Sequence, residues 1–120
     1  HNLETVERLQ KEVRRGANYQ SSINLLRLSK HLSPHIQTKS GIMLGLGENL
    51  DEIKKTILDL KEAKCDQITI GQYLRPSLKH LPVKKYWEPK EFNYINDFSK
   101  NLGFSKISCG PLIRSSYHAG

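Results

Sequence analysis

Gln37-Thr38-Lys39-Ser40-Gly41-Ile42-Met43-Leu44-Gly45-Leu46-Gly47-Glu48-Asn49-Leu50-Asp51-Glu52 decides the fold. Its first half, Gln37 to Leu44, reads as a strand that ends in glycines. Its second half carries a helix start: in Asn49-x-x-Glu52 the Asn side chain accepts from a backbone amide while the Glu side chain reaches back. Leu50, Ile53, Ile57 and Leu60 then follow at helical spacing. A strand that hands over to a capped helix within a few residues is the signature of an α/β chain.

The same alternation continues on both sides. Upstream, residues 20–33 place Leu25, Leu28 and Leu32 on one helical face, and Pro34 stops that helix. Downstream, Gln67-Ile68-Thr69-Ile70-Gly71-Gln72-Tyr73 reads as a second strand. Leu74 to Trp87 is a basic loop with Pro76 and Pro82, too long for a mere connection. A third helix starts at Pro89, turns Phe92, Ile95, Phe98 and Leu102 inward and ends at Gly103. Phe104 to Ile113 closes as another strand. Strands alternating with helices of this length predict parallel βαβ units. So few units can neither close a barrel nor cover both faces of a sheet. A piece of a larger α/β barrel or open sheet is therefore expected.

Composition narrows the class. The 120 residues allow at most one small domain. Opening on His1 rather than Met, the chain reads as a fragment of a longer one. Nineteen Lys and Arg against twelve Asp and Glu give a formal charge of +7, which favours an acidic partner. The positive residues are scattered with little aromatic interleaving, so nucleic-acid binding is not indicated. No apolar run approaches the roughly 18 residues of a membrane span and no signal peptide opens the chain, so a soluble, membrane-free protein is expected. Cys65 and Cys109 are too few and too far apart for a metal box, and read as buried structural thiols in a reducing compartment. His31 and His35 lie four apart, but Pro34 interrupts any common helix that would let them share a zinc ion.

Ligands of parallel α/β sheets gather at the carboxyl ends of the strands, which singles out four segments. Gly41 to Glu48 is either a tight turn or a loop whose glycines let a flat or anionic ligand approach the backbone; it matches neither a P-loop nor Gly-x-Gly-x-x-Gly. In Gln72-Tyr73-Leu74-Arg75-Pro76-Ser77, Tyr73 is core or a stacking platform, and Arg75 is a candidate carboxylate holder. His1-Asn2-Leu3-Glu4-Thr5 is an N-cap, or else Asn2 and Glu4 bond a ribose or an amino acid. The tail Arg114-Ser115-Ser116-Tyr117-His118-Ala119-Gly120 is a capped turn or a polar constellation that returns to a site.

Taken together, these segments resemble one family. His1 to Thr5, Thr38 to Glu48, Thr69 to Ser77, His80-Leu81-Pro82-Val83 and Gly110 to Ala119 look like the C-terminal half of lipoyl synthase, in order and with the family's spacings. Glu7, where the family usually has proline, and Cys109, where serine is common, depart from the pattern outside the motifs.

The resemblance implies a partial (β/α)6 TIM-like radical S-adenosylmethionine barrel. Residues 1–104 would form its C-terminal half, and 105–120 an extension that carries the Arg-Ser-Ser-Tyr tail. It further implies S-adenosylmethionine and two 4Fe-4S clusters. Three cysteines in a Cys-x3-Cys-x2-Cys loop hold the first; three more and a serine hold the auxiliary one, which is consumed as sulfur donor. None of those six cysteines lies in this chain, which by itself is expected to be inactive. The reaction is sulfur insertion at C6 and C8 of an octanoyl chain on a carrier-domain lysine, in E2 subunits of 2-oxoacid dehydrogenases or the glycine-cleavage H protein. By the same resemblance Asn2, Glu4, Gly41, Gly45, Glu48, Gln72, Tyr73 and Leu74 border the cofactor, and Ser116 binds one iron. Arg75 and Arg114 face the substrate. A monomer is expected, cytoplasmic in a bacterium and mitochondrial or plastidic in a eukaryote.

Two other classes compete. One is a different radical enzyme, which shares the Gly41–Glu48 pattern but lacks the Arg114–Tyr117 tail. The other is a basic, non-enzymatic binding module. Two cysteine triplets upstream in the same reading frame decide for the synthase.

Overall fold

A computed structural model describes residues 2–113. A 3-10 turn (Glu7–Leu9) runs into a short helix, α1 (Gln10–Val13). Then come α2 (Tyr19–Leu32), β1 (Lys39–Leu44), α3 (Leu50–Glu62), β2 (Gln67–Gln72), α4 (Pro89–Lys100) and β3 (Lys106–Gly110). The strands form one parallel sheet in the order β1-β2-β3, with Ile42 opposite Ile70 and Ile70 opposite Cys109.

Local chemistry explains most of these boundaries. Asn18 caps α2 by accepting from Ser21 N at 2.9 Å. The box read from the sequence closes α3, with Asn49 Oδ1 taking Glu52 N and Glu52 Oε1 taking Asn49 N. Glu88 and Glu91 close a second box on α4, whose first residue is Pro89. Gly103, at φ +87°, then lets the chain leave α4 toward β3.

Ile42 and Leu44 of β1, Ile68 and Ile70 of β2 and Ile107 and Cys109 of β3 enter one apolar cluster with residues of α2, α3 and α4. All three long helices therefore cover one face of the sheet. Strand periodicity turns Gly41, Met43, Thr69, Gly71, Ser108 and Gly110 to the other face.

Three expectations need correction. Helix α2 exists, but Leu25, Leu28 and Leu32 are exposed; the buried stripe is Tyr19, Ser22, Ile23 and Leu26. The opening segment is no N-cap, because Val6 precedes the first helical turn without a side-chain cap. The last strand is shorter than Phe104 to Ile113: it spans Lys106–Gly110 and pairs with β2 as the third member of the sheet.

Candidate functional site

Residues 2–5 run beside β1 on its free side. Glu4 N donates to Gly41 O at 3.0 Å and Met43 N to Glu4 O at 2.8 Å. Leu3 goes into the helix layer, its amide held by Ser40 Oγ at 3.2 Å. Asn2 goes the other way, its Oδ1 3.5 Å from where a Cβ on Gly41 would stand. Glu4 has φ +70°, a left-handed conformation that costs a non-glycine residue about 1 kcal/mol or more. The hydroxyl of buried Thr5 has no hydrogen-bond partner among the described residues. A half-buried amide and a strained Glu stand at this sheet edge, side chains of the kind that can bond hydroxyl or ammonium groups.

A second cluster ties the carboxyl ends of β1 and β2 together. Glu48, 7% exposed, accepts from Gly45 N at 2.8 Å, Leu46 N at 3.0 Å and Trp87 Nε1 at 2.9 Å. Gln72 bridges the same loops: Nε2 donates to Lys85 O at 2.9 Å and Tyr73 O at 3.1 Å, and Oε1 accepts from Trp87 N at 2.9 Å. Gly45 stands at φ +112°, and a Cβ there would strike the Gln72 side chain and Lys85 O. Gly45, Glu48 and Gln72 thus form a clasp that shapes the two strand-end loops. Trp87, its fourth member, escaped the sequence reading; being the chain's single tryptophan, at the end of the long loop, was the available signal.

The remaining candidates are dispersed. Tyr73 is buried with Val6, Leu9, Met43 and Leu46, and its hydroxyl donates to Leu81 O at 2.7 Å. Leu74 is exposed. Arg75 spends its guanidinium inside the loop, on His80 O at 2.9 Å and Leu78 O at 3.0 Å. Beside it, Arg15, Tyr73, Lys79, His80 and Pro82 border a cavity of about 420 Å³. Arg114 and Ser116 lie outside the described residues.

Neither cysteine is poised as a metal donor. Burial pushes both thiols up, Cys109 to about 12, and their sulfurs lie against Gln67 O at 3.3 Å (Cys65) and Phe92 O at 3.4 Å (Cys109). Among the described residues no group of three His, Cys, Asp or Glu could hold a metal ion, and no helix is long and apolar enough to cross a membrane.

No protein-family model matches the chain. Curated relatives do. Lipoyl synthase 2 of Prochlorococcus marinus subsp. pastoris is 75% identical over 120 residues, all of this chain and 40% of the relative. Lipoyl synthase 2 of Thermosynechococcus vestitus is 60% identical over 99% of the chain and 41% of its own length. Lipoyl synthase of Stenotrophomonas maltophilia is 53% identical over 99% of the chain and 35% of its own length. Identity of 53–75% along the whole of this chain carries the assignment: the chain is a fragment of the lipoyl synthase family and spans about 40% of the length of the relatives it matches.

Proposed function

We propose that this chain forms the C-terminal part of a lipoyl synthase, a cytoplasmic radical S-adenosylmethionine enzyme that inserts sulfur at C6 and C8 of a carrier-bound octanoyl chain. The observation that carries the reading is the inner face: helices cover one side of the sheet, and the other presents Asn2 at a glycine floor, with Glu4 fixed beside it. In this reading the sheet is part of a (β/α)6 barrel whose lumen is that face. S-adenosylmethionine, when bound to a reduced cluster, supplies the radical that inert C–H bonds require.

The chain's own residues bind, orient and keep water out. Asn2 and Glu4 hold the ribose or the amino-acid moiety. Gly41 and the Gln72-Tyr73-Leu74 segment border the adenine, with Gly45 and Glu48 fixing the loop from behind. The apolar group of Val6, Leu9, Met43, Leu46 and Tyr73, with Leu81 and Val83 against it, excludes water from the strand ends. Lys79 and the Arg75-stapled loop meet an octanoylated carrier domain, an E2 subunit or a glycine-cleavage H protein, and Arg114 faces the substrate side.

Ser116 is the proposed oxygen ligand to one iron of the auxiliary cluster, on the resemblance of Arg114-Ser115-Ser116-Tyr117. An oxygen donor is harder than the usual thiolate and easier to displace from iron, which suits a cluster that gives up sulfur. The neighbouring Arg114 favours the deprotonated serine. In a full-length, reconstituted enzyme carrying this segment, Ser116→Ala is expected to keep cleaving S-adenosylmethionine while lipoyl formation collapses. Product at the parental rate overturns the assignment, and Ser115→Ala becomes the next variant.

A further inference from the structure

Gly71 has no conformational reason to be glycine. It lies inside β2, and its φ is not among the positive ones. Alanine fits that backbone, and glycine in a strand interior costs about 0.5–1 kcal/mol relative to it. The reason is space. After β3 the chain turns back, Ile113 N donating to Gly110 O at 3.3 Å. That turn lays Ile113 on the inner face of β2, directly over Gly71. A Cβ on Gly71 would overlap the Ile113 carbonyl oxygen and stand 3.1 Å from its carbonyl carbon. The register partner Gly110 differs: a Cβ there would meet Ile113 Cγ1 at an ordinary 3.7 Å. The two glycines against this turn therefore carry unequal demands, and of the pair Gly71 is the one that must stay bare.

We infer that Gly71 is a positioning residue: it seats the Gly110–Ile113 turn on the inner face, so that the chain beyond Ile113 starts over the sheet and not beyond its edge. The inference rests on the reading of Ser116 as a cluster ligand. Ser116 is three residues past the seat, and three residues reach no more than about 11 Å. A turn pushed off β2 by an added methyl would carry that origin away from the lumen.

The test uses full-length lipoyl synthase carrying this segment, as Gly71→Ala, Gly110→Ala and Ser116→Ala. Hydrogen exchange of the peptide covering 110–120 is measured on metal-free protein, and Mössbauer spectra and lipoyl formed per S-adenosylmethionine cleaved on reconstituted protein. Gly71→Ala is expected to speed exchange in that peptide, to shift the auxiliary-cluster spectrum toward that of Ser116→Ala, and to lower the coupling ratio about tenfold or more. Cofactor cleavage and the unfolding midpoint stay near parental, and Gly110→Ala stays parental throughout. Parental exchange and spectrum in Gly71→Ala overturn the seat. Faster exchange with an unchanged spectrum and ratio overturns the positioning role. A parental Ser116→Ala refutes the ligand reading instead, and the exchange arm still decides whether Gly71 seats the turn.

Discussion

Glu48 shows how far a single residue's chemistry was legible. Its place after three glycines pointed to a strand-end loop, and it sits there. Its partner was invisible: the indole that fills its third hydrogen bond is 39 residues away, beyond any local pattern. A buried carboxylate needs such donors, because an unmet acceptor loses its solvation with nothing in return. Trp87→Phe keeps a smaller aromatic ring and removes the N–H. It is expected to lower stability by about 1–3 kcal/mol, read as a shift of the urea midpoint at constant slope. An unshifted midpoint would show that the two backbone amides suffice for Glu48.

Among the elements, α3 and α4 were readable because each carries one apolar stripe between two charged faces. Helix α2 carries two. Leu25, Leu28 and Leu32 make a stripe as regular as the true one, and nothing local says which of them the sheet takes. The sheet takes the stripe with Tyr19 and Ile23, which also brings the Tyr19 hydroxyl to Asp59 Oδ2 at 2.7 Å. The amino end of the sheet is pinned by Asp66, again through long-range partners. Its Oδ2 accepts from Lys30 Nζ at 2.7 Å and Thr38 N at 2.8 Å, so α2, β1 and β2 meet at one carboxylate. Burial pushes that carboxyl up, but Lys30 and then Thr38 outweigh it and hold it below its ordinary value. A folded-state value lower than the unfolded one stabilises at neutral pH, and that contribution disappears as pH falls through the lowered value. The stability gap between the parent and Asp66→Asn is therefore expected to be full near pH 6 and to shrink below about pH 4. A gap constant across that range in denaturant titrations would assign Asp66 no linkage.

For the whole molecule, alternation and crossover rules were enough to foresee a parallel sheet with one dressed face. They could not say that Arg75, read as a substrate contact, is bonded to its own loop. Charge reversal at Arg75 would open the loop as well as change the field, so Lys79, exposed beside the cavity, is the cleaner probe of carrier docking. Lys79→Glu is expected to raise KM for an octanoylated carrier domain about fivefold, less so at high salt, and to leave a short octanoyl-lysine peptide unaffected. Equal effects on both substrates would move Lys79 from docking into the active site.

The stretch from Leu74 to Trp87 has no regular secondary structure, yet side chains bind it to itself and to both strand ends at Leu78, His80, Leu81, Lys85 and Trp87. Ordering a free segment on contact typically costs about 1–2 kcal/mol of backbone entropy per residue. Here that disorder is removed when the chain folds, before any partner arrives. Whatever lands on this loop meets a surface already frozen in shape, and its contact energy goes into affinity instead of into stilling the chain.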